Sequence, residues 1–146
     1  MHAVEKILAR ASKSREVSAG DIVLAKVDVD MIHDRGWDLT HRAFEDLGIK
    51  KVHDPNGIVF ILDHTALPVN DESSALKLES MRKFAEKQGI KNIYDVGAGI
   101  CHVVLSEKGH AWPGVIVVGT DSHTTTSSAV GCLSCGVGKS EAGTIM

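Results

Sequence analysis

The chain predicts an α/β fold, three layers deep, with a parallel or mixed sheet covered by helices on both faces. Three observations carry this reading. Apolar runs such as Ile58-Val59-Phe60-Ile61-Leu62 and Val115-Ile116-Val117-Val118-Gly119 contain no polar residue, as expected of strands buried on both faces. Segments with apolar residues at helical spacing lie between such runs, the pattern of βαβ units. Both runs also stop at an acid and a histidine, Asp63-His64 and Asp121-Ser122-His123. In open α/β sheets ligands bind just beyond the carboxyl ends of the strands.

Taken in order, Val4, Ile7, Leu8 and Ala11 recur at helical spacing and predict a short amphipathic helix. Ala19-Gly20-Asp21 reads as a turn, and Ile22 to Val27 as the first strand. Leu39 to Leu47 is helical by period and closed by Gly48, a residue suited to a helix C-terminus. Asp54-Pro55-Asn56-Gly57 is a turn signal before the strand Ile58–Leu62. The longest helix runs from about Asp71 to Gln88, with Leu78, Met81 and Ala85 on one face and Gly89 as its stop. Asn92 to Val96 predicts a short strand, Ile100 to Leu105 a helix or a strand, with the helix preferred, and Val115 to Gly119 the last clear strand. A helix begun near Lys139 has barely two turns before Met146 and no evident packing partner, so the chain reads as interrupted rather than finished.

Composition narrows the function classes. A chain of 146 residues fits a single domain, 1–146, with a core that needs no disulfide support. A net charge of −3 argues against a nucleic-acid binder, which would show a basic stripe. No apolar run approaches the ~18 residues of a membrane span. Glu5, Lys6 and Arg10 interrupt any signal-peptide core. Three cysteines without a secretion signal point to a reducing compartment, and the expected location is the cytoplasm.

The chemistry gathers in Asp63, His64, His102, Asp121 and His123. A carboxylate beside an imidazole orients the ring and stabilises its protonated form, which suits proton transfer. Neighbours at a strand end point in different directions, so each aspartate is expected to serve a histidine from another segment. His33, in His33-Asp34-Arg35-Gly36, is a candidate substrate contact or part of a surface turn. His2, His41, His53 and His110 read as surface residues, and Trp37 and Trp112 as packing residues.

The glycine-rich stretch Gly136–Gly143 fails both nucleotide motifs. A phosphate-binding loop needs glycine where Leu133 stands, and the dinucleotide motif needs it at Glu141. These glycines are expected instead to let the backbone pass close to a helix or ligand. Cys132-Leu133-Ser134-Cys135 has the spacing of a redox pair or half a zinc site. With Cys101 it supplies three thiols, so a small metal- or redox-binding module is the alternative reading. Small apolar neighbours point instead to buried cysteines.

Asp63-His64, Gly99-Ile100-Cys101-His102 and Gly119-Thr120-Asp121-Ser122-His123-Thr124 together resemble the aconitase superfamily. The resemblance is to the large subunits of 3-isopropylmalate dehydratases and homoaconitases. Glu5-Lys6-Ile7-Leu8, Lys26-Val27-Asp28 and Tyr94-Asp95-Val96-Gly97 fit the same pattern. The resemblance spans the whole chain but implies only the N-terminal third of such a subunit. It implies a hydro-lyase that removes and re-adds water on a hydroxy di- or tricarboxylate, using a [4Fe-4S] cluster as Lewis acid. By position, His64 would protonate the departing hydroxyl beside Asp63, and His102 would pair with Asp121. His123 would contact the iron-bound water or hydroxyl, and Ser122 a substrate carboxylate. The base, the carboxylate-gripping arginines and the cluster cysteines are then expected outside this chain, in the rest of the large subunit or in a small partner subunit. Cys132 and Cys135 fall in the family's Gly/Ala-rich segment, which makes them poor cluster ligands. This chain alone is expected to be inactive, with no metal ligand of its own.

Overall fold

A computed structural model describes residues 1–65 and 72–146. Its centre is a five-stranded sheet in the order β3-β2-β1-β4-β5. The strands are β1 (Val29–His33), β2 (Ile58–Ile61), β3 (Ile93–Tyr94), β4 (Ile116–Gly119) and β5 (Leu133–Gly136), and every pairing is parallel. The helices are α1 (Ala3–Ser12), α2 (Trp37–Asp46), α3 (Glu72–Gln88), α4 (Cys101–Glu107) and α5 (Lys139–Ile145). A 3-10 segment, Ser122–Val130, connects β4 to β5. The expected helix start at Asp71 lies outside the described residues.

The sheet is buried from both sides, which is why β1, β2 and β4 carry so few exposed positions. On one face Ile32, Ile58 and Phe60 pack against Trp37 and Phe44 of α2, Met81 and Phe84 of α3, and Ala142 of α5. On the other face Met31, Val59, Ile61 and Val117 meet Cys101, Val104 and Leu105 of α4. α1 covers Ile116 and Val118 of β4 through Ile7 and Ala11. Arg10 pairs with Asp28, whose carboxylate also accepts the Ile116 N–H at 2.8 Å.

Three sequence expectations need correction. Ile22–Val27 is not a strand; it runs outside the sheet, with Ile22 and Leu24 99% and 96% exposed. The first strand is Val29–His33, where Asp30 and His33 break the apolar run that sequence reading looks for. Val115–Gly119 is not the last strand, because Leu133–Gly136 pairs alongside it. Finally, α5 does find a packing partner. A Cβ on Gly143 would stand 2.3 Å from the Thr40 carbonyl of α2, so glycine is what lets the two helices meet this closely.

The order of the strands places the site. From β1 the chain winds outward through β2 to β3, then returns to lay β4 on the other side of β1. That reversal makes β1 and β4 the topological switch point, where a crevice opens beyond the strand ends.

Candidate active site

A cleft of about 700 Å³ opens there, lined by His33, Arg35, His64, Thr120, Asp121, Ser122, Thr125, Cys135, Gly136, Val137 and Lys139. It draws on the carboxyl ends of β1, β4 and β5 and on the loop after β2.

Asp121 is the hub. It caps the 3-10 segment by accepting the His123 N–H at 2.7 Å. The same oxygen lies 2.9 Å from His102 Nε2 and 3.2 Å from His123 Nδ1. Its second oxygen lies 3.3 Å from His64 Nε2. Burial pushes the Asp121 carboxyl up, but the His123 backbone N–H and the His102 ring outweigh it and hold it at about 2. Asp121 is therefore an anion at neutral pH.

His64 faces a carboxylate at each end, with Nδ1 2.6 Å from Asp63 Oδ1. An ionised carboxylate only accepts, so Nδ1–H donates to Asp63. The other Asp63 oxygen accepts the Cys101 N–H at 2.7 Å, which ties the start of α4 to the end of β2. The ring of His64 stacks on His33 at 4.0 Å between centroids. The Arg35 N–H donates to His33 Nδ1 at 3.1 Å, which leaves the His33 proton on Nε2. Burial, then the neighbouring His64, pull the His33 imidazole down to about 4, so it is a neutral ring at neutral pH.

Asp34, fully buried, holds this arrangement in register. It accepts the His64 N–H at 2.9 Å and the Thr65 N–H at 2.7 Å, and also the Thr65 hydroxyl. Burial raises its carboxyl, but these three donors more than offset that, and its ordinary value of 3.8 falls. Asp34 thus pins the loop after β2 to the end of β1.

All the residues singled out by sequence reach one region: Asp63, His64, His102, Asp121, Ser122, His123 and His33 all line the cleft or bond to residues that do. His123 is the outermost, its side chain 80% exposed. His102 is buried enough that its Nδ1 has no hydrogen-bond partner among the described residues. Sequence reading gave no separate role to Thr125, Lys139 or Arg35. Lys139 was weighed only against nucleotide motifs. His110, read as surface, is part-buried with Nε2 2.6 Å from the Tyr94 hydroxyl. Trp37 is a core residue at 1% exposure, whereas Trp112 is 46% exposed rather than packed.

The thiols do not gather. Cys101 and Cys132 are buried and Cys135 is exposed in the cleft. Cys132 lies just before β5 and Cys135 within it, three positions apart, so along an extended chain the two thiols leave opposite sides. Cys132 enters the core beneath α4, while Cys135 reaches the strand end. Burial, then the charge of Asp63, push the Cys101 thiol up to about 12, so it stays protonated. Groups with ligand atoms within 4.8 Å of one another do occur among the described residues: His33, Asp34 and His64; Asp63, His64 and Cys101; His102, Asp121 and His123. Two of these are N/O sets without a thiol, and none offers the three thiolates of an iron–sulfur cluster. The donors of this chain do not fit a [4Fe-4S] group.

Comparison with known proteins accords with this geometry. The model of the aconitase family (aconitate hydratase) matches residues 5–146. The probable 3-isopropylmalate dehydratase large subunit of Methanothermobacter thermautotrophicus is 49% identical over 137 residues, covering 94% of this chain and 32% of that protein. The 3-isopropylmalate dehydratase large subunit 1 of Methanopyrus kandleri is 45% identical, with coverage of 94% and 32%. The probable methanogen homoaconitase large subunit of M. thermautotrophicus is 43% identical over 145 residues, with coverage of 97% and 34%. The chain thus spans about a third of the length of these relatives. With a doubly wound parallel sheet, an acid–histidine cluster at its switch point and a family match over nearly every residue, the chain belongs to the aconitase family.

Proposed function

We propose that this chain is the N-terminal portion of a hydro-lyase large subunit and carries the general acid of its active site, with the carboxylates and histidines that orient it. The substrate is a small hydroxy di- or tricarboxylate, and the reaction removes water and adds it back. The observation that carries this reading is the convergence of His64, His102 and His123 on the single carboxylate of Asp121.

In this reading His64 is the acid. Asp63 fixes its Nδ1–H at 2.6 Å, which aims the opposite nitrogen toward Asp121 and the cleft. The departing hydroxyl takes a proton from that nitrogen, turning a poor leaving group into water. Asp121 steadies the positive charge of the rings around it and hands orientation from His102 to His64. His123, at the rim, hydrogen-bonds the leaving oxygen, and Ser122 contacts a substrate carboxylate. His33 stays neutral and offers its Nε2–H as a fixed donor. A [4Fe-4S] cluster in the longer relatives' architecture would act as a Lewis acid, held by residues other than these. The base that takes the carbon-bound proton also lies beyond them, as does a small partner subunit. The chain alone is then inactive, and it works in the cytoplasm.

A chimera tests this. These residues replace the matching third of the M. thermautotrophicus 3-isopropylmalate dehydratase large subunit, and the chimera is assayed with its small subunit for hydration and dehydration. Turnover is expected, with kcat falling about 100-fold or more in His64→Asn and in Asp121→Asn, the scale of a lost general acid. A folded, active chimera indifferent to both substitutions contradicts the assignment.

A further inference from the structure

The cleft holds two cationic side chains with no salt-bridge or hydrogen-bond partner among the described residues, Arg35 and Lys139. They come from separate elements, Arg35 from the loop after β1 and Lys139 from the first residue of α5. Gly36 brings them together. Its φ is +91°, and a Cβ there would lie 2.1 Å from both Cδ and Cε of Lys139. The Lys139 stem therefore runs across the bare backbone next to Arg35, and both residues line one cavity. The rest of the lining has little to offer an aliphatic group. Val137 is the single branched aliphatic residue among the described lining residues. Asp121, the one acid of the lining, is already engaged by three histidines.

We infer that Arg35 and Lys139 form a carboxylate-binding edge that selects a ligand carrying an additional carboxylate there over one carrying a branched alkyl group. This rests on the proposed function and narrows it, because the named relatives include both a homoaconitase and 3-isopropylmalate dehydratases. An unpaired cation pair bordering a cavity binds an anion by charge-assisted hydrogen bonds. Arg35 offers a planar fork and Lys139 a point charge. An isopropyl group in the same place gains no such bond and strips water from both charges, which rejects it as well as failing to attract it.

Cys135 supplies the readout. It is the exposed thiol of the three and lines the same cleft, whereas Cys101 and Cys132 are buried. Its alkylation by iodoacetamide in the intact 146-residue chain is followed by mass spectrometry in the presence of propane-1,2,3-tricarboxylate or 2-isopropylsuccinate. The tricarboxylate is expected to protect at a concentration roughly fivefold lower or better, the scale of one exposed ionic contact. The preference should shrink with salt and vanish in Arg35→Gln and Lys139→Gln, but survive in Lys51→Gln, a lysine away from the cleft. Unchanged thermal transitions would show that the variants fold.

Equal or better protection by 2-isopropylsuccinate, protection by neither, or a preference that survives both substitutions overturns the inference. A second arm compares citrate with propane-1,2,3-tricarboxylate, which differ by one hydroxyl. A hydroxyl-dependent gain lost in His64→Asn belongs to the dehydratase reading. Its absence, with the carboxylate preference intact, counts against that reading and leaves the cationic edge standing.

Discussion

Two aspartates illustrate how burial alone does not decide a charge. Asp121 lies among imidazoles and backbone donors and is held at about 2. Asp30, the second residue of β1, is 3% exposed, and neither of its oxygens has a hydrogen-bond partner among the described residues. Burial pushes its carboxyl well above the ordinary value of 3.8. The two therefore act on stability with opposite sign. Asp121, depressed in the fold, stabilises above about pH 3.8, and that contribution is lost as pH falls toward 2. Asp30, raised in the fold, adds no ionisation penalty below 3.8, and stability falls as pH rises from there through its folded value. Thermal unfolding followed against pH should show Asp30→Leu gaining on the native chain as pH rises. The gain at neutral pH should reach about 1–3 kcal/mol, the usual cost of an uncompensated buried polar group. Near pH 3 the two proteins should differ far less. A pH-independent difference would show that Asp30 pays no ionisation cost.

At the scale of elements, closeness of backbone is what shapes the molecule. α5 is only seven residues long and would be marginal by itself. It persists because Ala142 is fully buried and Gly143 meets Thr40 and Ala43 of α2. Gly143→Ala should therefore destabilise the chain by about 1–3 kcal/mol through overpacking. The roughly 1 kcal/mol that alanine gains over glycine in a helix works against this. Urea unfolding measures the net effect, and a stabilised variant would show that α5 does not dock as described. The same closeness recurs beside the site, where a Cβ on Gly136 would stand 2.7 Å from the Asp121 carbonyl. The glycines of this stretch were legible as close-approach residues, but nothing in the sequence said what they approach.

What pattern could show of the whole molecule was hydrophobicity, and what it could not show was pairing. The uninterrupted runs of β2 and β4 and the helical periods of α1, α2 and α3 announced a doubly covered sheet. β1 was hidden because Asp30 and His33 interrupt it, and Ile22–Val27 took its place because an apolar segment looks like a strand even when it runs outside the sheet, with Ile22 and Leu24 in water and Ala25 and Val27 packed near α1. β5 was masked by the interest of Cys132 beside it and Cys135 within it. The acid–histidine residues were legible as strand-end groups. Which imidazole meets which carboxylate was not, since that depends on how β1 and β4 come to be neighbours across 87 residues of chain, as in the bond from the His33 N–H to Thr120 Oγ1. Arg35 and Lys139 escaped notice for the same reason. They lie about a hundred residues apart in sequence, and the Lys139 side chain crosses Gly36, the residue after Arg35.

The central claim is that three separate segments, at His64, His102 and His123, join in one network through Asp121. Long-range ¹H–¹⁵N spectra of the imidazoles, recorded for the native chain and for Asp121→Asn, test it most directly. The ring resonances of His64, His102 and His123 should all move together, while those of His2 and His53, remote from the cleft, stay in place. A response confined to His123, the sequence neighbour of Asp121, would contradict the network and with it the proposed acid–base site.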